Sequence, residues 1–265
     1  MGVRFYWDLF WAYIAQYAKG RLEYRADFLA GLVTDVLYQS VAVIFLLVVF
    51  RQVPTLAGWR QEEVFFIYGY FLWPYAFFST LSGGAWEFTD KYIVRGELDR
   101  LLLRPANSLF QLILEGIELE PLMGLVTGSA IMFWSAGALG LDWRWYDPLL
   151  MLLLTAGSTL IYLGVYLSLA CIGFWYDGRT GLLPLMWNVN TYGRYPISIY
   201  NGVLRTILTW VLPFAFVGFY PAAYFLRREA FLGWALATPV MGLAFFSLAV
   251  VVWRVGVKRY HGTGS

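Results

Sequence analysis

The chain has 265 residues and a formal charge of +2; 60% of its residues are hydrophobic, 20% aromatic and 14% charged, against roughly 25% charged in soluble domains. That is a membrane composition, and the small net charge excludes a nucleic-acid partner. A single cysteine, Cys171, excludes an intrachain disulfide or cysteine-based zinc site; a Ser-His-Asp triad or histidine metal site would rest on His261 alone, so no catalytic or metal-binding residue is assigned.

Residues 1–28 mix Phe5, Trp7, Leu9, Trp11, Tyr13 and Tyr17 with Arg4, Lys19, Arg21 and Arg25, with no apolar run long enough for a signal-peptide core. The i, i+4 spacing of Leu9, Tyr13 and Tyr17 predicts an amphipathic helix lying in the membrane interface. A single transmembrane domain is expected over residues 29–265, opening with a span at Leu29 to Phe50 that is interrupted only by Asp35. A second, Val64 to about Ser82, carries no charge and runs on through Trp86 to Lys91.

Tyr92 to Glu115 is the longest polar-patterned segment, and residues 96–104 within it are expected to form a short helix. Gly96 breaks the preceding helix, Glu97 and Asp99 supply an acidic first turn, and Pro105 stops the run after Arg104. Leu98, Leu101 and Leu102 share one face of this short helix while Asp99, Arg100 and Arg104 leave the other polar. Too short and too charged to cross a bilayer, it is either a connector lying among headgroups or a docking helix for a soluble partner; we favour docking, because a face carrying both signs fixes register.

A third span is expected from Pro121 to Leu141 and a fourth from Pro148 to Trp175. Leu182 to Tyr200 is only moderately apolar, with Asn188, Asn190 and Arg194 inside it, and is followed by Val203 to Leu226, broken by Pro213 and Pro221. The last span is Ala230 to Trp253. Six crossings, with 203–226 re-entrant from the outer side, put Arg4, Lys19, Arg21, Arg25, Lys91, Arg95, Arg100, Arg104, Arg179, Arg254, Lys258 and Arg259 on the cytoplasmic side. Arg51, Arg60, Arg144, Arg205, Arg227 and Arg228 then lie outside, a split of twelve to six that obeys the positive-inside rule with both termini cytoplasmic. Seven crossings would move Arg254, Lys258 and Arg259 out and leave nine against nine.

No G-x-x-x-x-G-K-[ST] occurs, so the chain does not bind ATP by a P-loop. Asp35, the carboxylate deep in a span, is either a helix-to-helix contact with Arg194, Asn188 or Asn190 or part of a functional site. Glu115, Glu118 and Glu120 form either an ion-paired helix end, with Lys91 and Arg95 as partners, or an acidic vestibule for cations. Aromatic residues of the second span, together with Trp187, Tyr192, Tyr195 and Tyr200, serve packing or line a cavity for planar or cationic molecules.

The run G-E-L-D-R-L-L-L-R-P from Gly96 to Pro105 with N-S-L-F-Q after it, R-Y-P-I-S-I-Y from Arg194 to Tyr200, and L-P-F-A-F-V-G-F-Y-P-A from Leu212 to Ala222 resemble a poorly characterised branch of the type 2 ABC exporter permeases, over nearly the whole chain. The resemblance implies an all-α, six-helix half-transporter of the cytoplasmic (inner) membrane that works as a homo- or heterodimer. It implies a coupling helix at Gly96, Glu97, Leu98, Asp99, Arg100, Leu101, Leu102 and Arg104, docked on a separate ATPase subunit that binds ATP and Mg; this chain would hold no cofactor. The exported substrate is then a hydrophobic molecule or organic cation, on a pathway drawn from Asp35, Glu115, Glu118, Trp187, Asn188, Asn190, Tyr192 and Arg194. The alternative is a non-transporting membrane scaffold or sensor that docks an ATPase.

Overall fold

The computed structural model describes residues 2–176 and 181–260, and among these the chain is all-helical, with no strand. The basic start of the chain forms α1 (Val3–Glu23), and α2 (Arg25–Gln52) follows after a one-residue break at Tyr24. The chain reverses through a positive-φ turn at Ala57 and Gly58 into α3 (Gln61–Trp86), which runs on as a π-helical stretch, Phe88–Val94. Gly96, at φ 74°, takes the left-handed conformation that glycine adopts without penalty and starts α4 (Glu97–Leu103) in a new direction. Then come α5 (Ser108–Glu115), capped by the Asn107 side chain, α6 (Met123–Leu139) and α7 (Asp147–Ala170). The remaining helices are α8 (Leu182–Asn190), α9 (Gly202–Thr206), α10 (Phe219–Arg227) and α11 (Leu232–Arg259).

Among the described residues, five segments are long and apolar enough to cross a membrane: Arg25–Gln52, Gln61–Val94, Glu120–Leu139, Asp147–Phe174 and Phe219–Arg259. These match the first four expected spans and the last, the third ending two residues and the fourth one residue earlier than expected. The expected fifth, Leu182 to Tyr200, is not one continuous helix. It consists of the nine-residue α8, a 3-10 turn at Thr191–Arg194, an extended Tyr195 and a second 3-10 turn at Ile197–Ile199. Nine helical residues rise only about 14 Å, less than half the hydrocarbon thickness. Tyr195 is extended because the ring of Pro196 disfavours helical geometry in the residue before it.

α3 and α7 form the buried centre, with Phe66, Tyr70, Phe78, Tyr162 and Tyr166 fully enclosed, whereas α2, α6 and α11 keep broad apolar faces on the outside. Glycine lets the backbones approach closely, as it does in membrane bundles where packing replaces the hydrophobic effect. A Cβ on Gly116 would collide with the backbone of Gly83 and Gly84, which fixes α5 against the end of α3, and a Cβ on Gly242 would collide with Gly157, joining α11 to α7.

Ionic contacts mark the two ends of the bundle. At one end Arg227 pairs with Glu63 (3.2 Å) and Arg228 with Asp147 (2.7 Å); at the other Glu115 pairs with Arg100 (2.9 Å) and Arg104 (2.8 Å). α7 starts at the first end, beside the start of α11, and Phe174 beyond its C-terminus meets Trp253 near the end of α11, so the two helices run in the same direction. Residues 203–226 form a hairpin with both ends at the first end of the bundle. Ser198, just before it, accepts a hydrogen bond from Trp59 Nε1 (3.1 Å), and Arg227, just after it, lies 3.6 Å over the Trp59 ring. Its apex reaches inward, where Phe216 O accepts from Ser158 (3.0 Å) and Phe214 lies against Tyr162.

Replacing Gly116 with leucine is expected to lower the thermal unfolding midpoint of the detergent-solubilised chain, because overpacking here moves backbone and costs about 1–3 kcal/mol or more. Gly137→Ala, where an added Cβ meets nothing within 4 Å, is expected to leave the midpoint unchanged or raise it.

Candidate functional site

Two features stand out, and α3 links them: a small polar helix at one end and a cavity along its side. The polar helix is α4. Leu98 and Leu101 are 0% exposed, so the leucine stripe is covered by the chain's own bundle. The apolar surface α4 offers outward is Leu103, 86% exposed, and Leu102, 39% exposed. Glu97 and Arg100 pair with each other across one turn (3.3 Å), and Asp99 is half-buried.

Glu115, on α5, holds this end together. Its carboxylate accepts from Arg100 and Arg104, from the Tyr92 hydroxyl at 3.2 Å and from the Tyr13 hydroxyl at 3.4 Å, so α1, the extension of α3, α4 and α5 meet on one group. Arg104 also donates to Tyr13 Oη (3.0 Å). Burial beside the Glu115 charge pushes the Tyr13 hydroxyl above its ordinary range, which keeps it a donor. Of the two cations expected beside the glutamates, Lys91 pairs instead with Glu87 (2.8 Å). Glu120 pairs with Arg21 (2.7 Å) and accepts from Tyr17, anchoring α1 to the start of α6.

The cavity, about 820 Å³, lies between α2, α3 and the broken segment from α8 to Arg194. It brings together six of the eight expected pathway residues: Asp35, Glu118, Trp187, Asn188, Asn190 and Arg194. Glu115 lies outside it, in a smaller cleft between α1 and α4. Tyr192 does not line it either; its carbonyl accepts from the Tyr200 hydroxyl (3.0 Å) and its ring packs edge-on against that residue.

None of the proposed partners pairs with Asp35. Asn190 is buried and bonded to the Tyr162 hydroxyl, Asn188 Nδ2 donates back to Pro184 O (3.1 Å), and among the described residues no ion pair joins Asp35 to Arg194. The guanidinium of Arg194 lies 5.2 Å from the Tyr195 ring centroid, and its Nε is buried with no hydrogen-bond partner in the protein. Aromatic walls come from Phe71, Tyr75, Trp86 and Trp187, the last within 5.6 Å of Tyr75 and 5.7 Å of Trp86, ring to ring.

Gln39 and Ser79 line the cavity too. Both are uncharged, but each has a signal in spacing: Gln39 is one turn beyond Asp35, and Ser79 lies one turn from Tyr75 and from Ser82 on the same side of α3.

Burial, reinforced by the neighbouring Glu120 charge, raises the Glu118 carboxyl above its ordinary range. A raised native value means the folded state binds this proton more tightly, so the associated stability is present at low pH and lost as pH rises through the native value. The unfolding midpoint is expected to fall over the range just above that of ordinary carboxylates, and Glu118→Gln to flatten that step. Glu115→Ala leaves two guanidinium groups and two tyrosine hydroxyls without their common acceptor. It is expected to cost on the order of 1–3 kcal/mol and to speed amide hydrogen exchange over residues 97–104, read by mass spectrometry.

The model of a family described as ABC-2 family transporter protein matches residues 36–264, which covers α4, the hairpin and the cavity lining apart from Thr34 and Asp35. No significant match was found among curated proteins or solved structures. A match over that much of the chain, on an all-helical fold with five apolar helices of membrane-spanning length, shows that this protein is a membrane permease of the ABC-2 transporter family.

Proposed function

We propose that the chain is the transmembrane subunit of an ATP-driven exporter that moves a hydrophobic or organic-cation substrate out of the cytoplasm. The observation that carries this reading is that α3 runs along the aromatic, acid-lined cavity and leads, through its π-helical extension, directly into α4. A movement imposed on α4 therefore reaches the cavity wall through the element that immediately precedes it. In the proposed cycle a separate ATPase subunit, holding ATP and Mg, docks on the Gly96 to Arg104 region and drives the permease between two states. Each state must make different contacts with the ATPase for coupling to occur.

Six crossings with both termini cytoplasmic fit this reading. The shared direction of α7 and α11 requires the chain between them to cross back once. The path from α8 to Tyr200 supplies that crossing: thirteen helical residues rise about 20 Å, and three extended residues with the 3-10 turn at Ile197–Ile199 add about 16 Å. Non-helical backbone at that depth needs cover, which the 203–226 hairpin provides, entering from and returning to the outer side. A second copy of the chain or a related permease would complete the pathway across the exposed faces of the bundle, in the inner membrane.

Aspartate at Leu98 or Leu101 would bury an unpaired carboxylate and test folding rather than docking. The docking probe is Leu103→Asp. From gently solubilised membranes the tagged wild-type chain is expected to bring down an ATPase subunit with a P-loop. Leu103→Asp, with normal expression and the same elution profile, is expected to lose at least about tenfold of it, the size of one buried leucine at an interface. Recovery of the chain alone, or with a non-ATPase partner, under conditions that preserve other ABC complexes would remove the exporter reading and leave a scaffold or sensor.

A further inference from the structure

The cavity is electrically polarised along its length. Glu118 donates its backbone N–H to Thr80 O (3.1 Å), which fixes it beside Thr80 on α3. Asp35 belongs to the same region, since Gly31, one turn before it on α2, sits against the Glu120 side chain. Arg194 lies farther along. Its neighbour Gly193 is in tight contact with Gly218, and Gly218 in turn packs on Phe71. Thr80 and Phe71 are nine residues apart on one helix, so the backbone levels of Glu118 and Arg194 are offset by roughly 14 Å along α3.

The ionic state of each lining group matters as much as its position. Of the other two carboxylates nearby, Glu87 is paired with Lys91 and Glu120 with Arg21. Asp35 and Glu118 have no basic group within salt-bridge distance among the described residues, and Arg194 has no carboxylate. Beside the acidic end, one residue from Thr80, lies Ser79, whose buried Oγ also lacks a hydrogen-bond partner in the protein. Unpaired charge and unsatisfied donors in an apolar setting are costly, and they persist where a ligand meets them. A simple organic cation would use the acidic end and leave the guanidinium unanswered.

We infer that the cavity takes an elongated zwitterion, with an ammonium group at Asp35 and Glu118, a carboxylate at Arg194 and an apolar or aromatic body between them. This rests on the reading of the cavity as the substrate site and narrows it. The separation decides against a zwitterionic phospholipid headgroup, whose amine and phosphate are joined by a two-carbon linker. A short extended peptide with free termini has the right dimensions, since four residues span about 13–14 Å. The Ser79 hydroxyl is then placed to bond the peptide group nearest the ammonium end, and the rings of Phe71, Tyr75 and Trp187 flank its side chains.

The test is equilibrium binding to the purified full chain in lipid nanodiscs, with three forms of one radiolabelled tetrapeptide, Leu-Leu-Phe-Leu: free at both ends, amidated at the C-terminus, and acetylated at the N-terminus. Each capped form is expected to bind at least about tenfold more weakly than the free form, as a charged hydrogen bond is lost. Arg194→Gln is expected to erase the penalty for amidation while keeping that for acetylation, Arg194→Lys to retain both, and Asp35→Asn combined with Glu118→Gln to erase only the acetylation penalty. Equal binding of all three forms, binding of none, or an amidation penalty that survives Arg194→Gln would overturn the inference. The wild-type comparison stands by itself should a variant fail to fold. Because no ATPase enters this assay, its failure leaves ATP-driven transport intact, and loss of the ATPase in the pulldown leaves this result intact.

Discussion

The Glu115 carboxylate is the point on which the α4 end of the molecule depends. It is only 11% exposed and accepts from two arginines and two tyrosines contributed by three other parts of the chain. Each of those donors would otherwise face a partly desolvated environment, and a single ionised acceptor meets them all at charge-assisted strength. The glycine contact between Gly116 and Gly83–Gly84, one residue further on, makes the arrangement rigid, because it admits no side chain between α5 and α3. α4, α5 and the end of α3 therefore form one body. In the proposed cycle, that rigidity is what allows a push on seven residues of α4 to reach the wall of the cavity.

How much of this could be read from sequence depended on whether the signal was local. Uninterrupted apolar runs located α2, α3, α6, α7 and α11, since twenty apolar residues have few other uses. The turn at Gly96 and the stop at Pro105 bracketed α4 to within a residue or two. Leu98 and Leu101 show the boundary of this kind of reasoning: periodicity says that a face is buried, but not whether the chain itself or another protein covers it. Lys91 and Arg95 suggested themselves as partners of the glutamates by preceding them in the chain. Yet the reversal at Pro105 to Asn107 folds α5 back beside α4 and puts Arg100 and Arg104 nearer to Glu115.

The stretch from Leu182 to Tyr200 was the least legible for a physical reason. Its prolines, asparagines and arginine lower its hydropathy below that of a lipid-facing helix, and the same residues make it a broken element that survives only under cover. Tyr162 bonded to Asn190, and Gly193 wedged against Phe214 and Gly218, supply that cover, and neither contact is visible in a one-dimensional pattern. Six of the eight residues singled out for the pathway nonetheless line one cavity, because intramembrane polar groups tend to face the bundle interior rather than lipid. Tyr192 and Glu115, which lie outside it, had satisfied alternatives: a ring contact with Tyr200 and an ion-pair network at the α4 end.

The charges in the cavity also bear on how a permease of this kind could be driven. Asp35 and Glu118 belong to the segments joined to α1 and α6, whereas Arg194 sits on the broken segment held by the hairpin. Among the described residues, no ion pair joins Asp35 or Glu118 to Arg194 across the cavity. Aromatic rings do bridge the walls, Trp187 to Tyr75 and Trp86, but such contacts are weak and tolerate sliding better than a buried ion pair does. In the proposed cycle, a wall held by aromatic contacts and attached through α3 to a rigid end piece would convert displacement at α4 into a change of cavity shape.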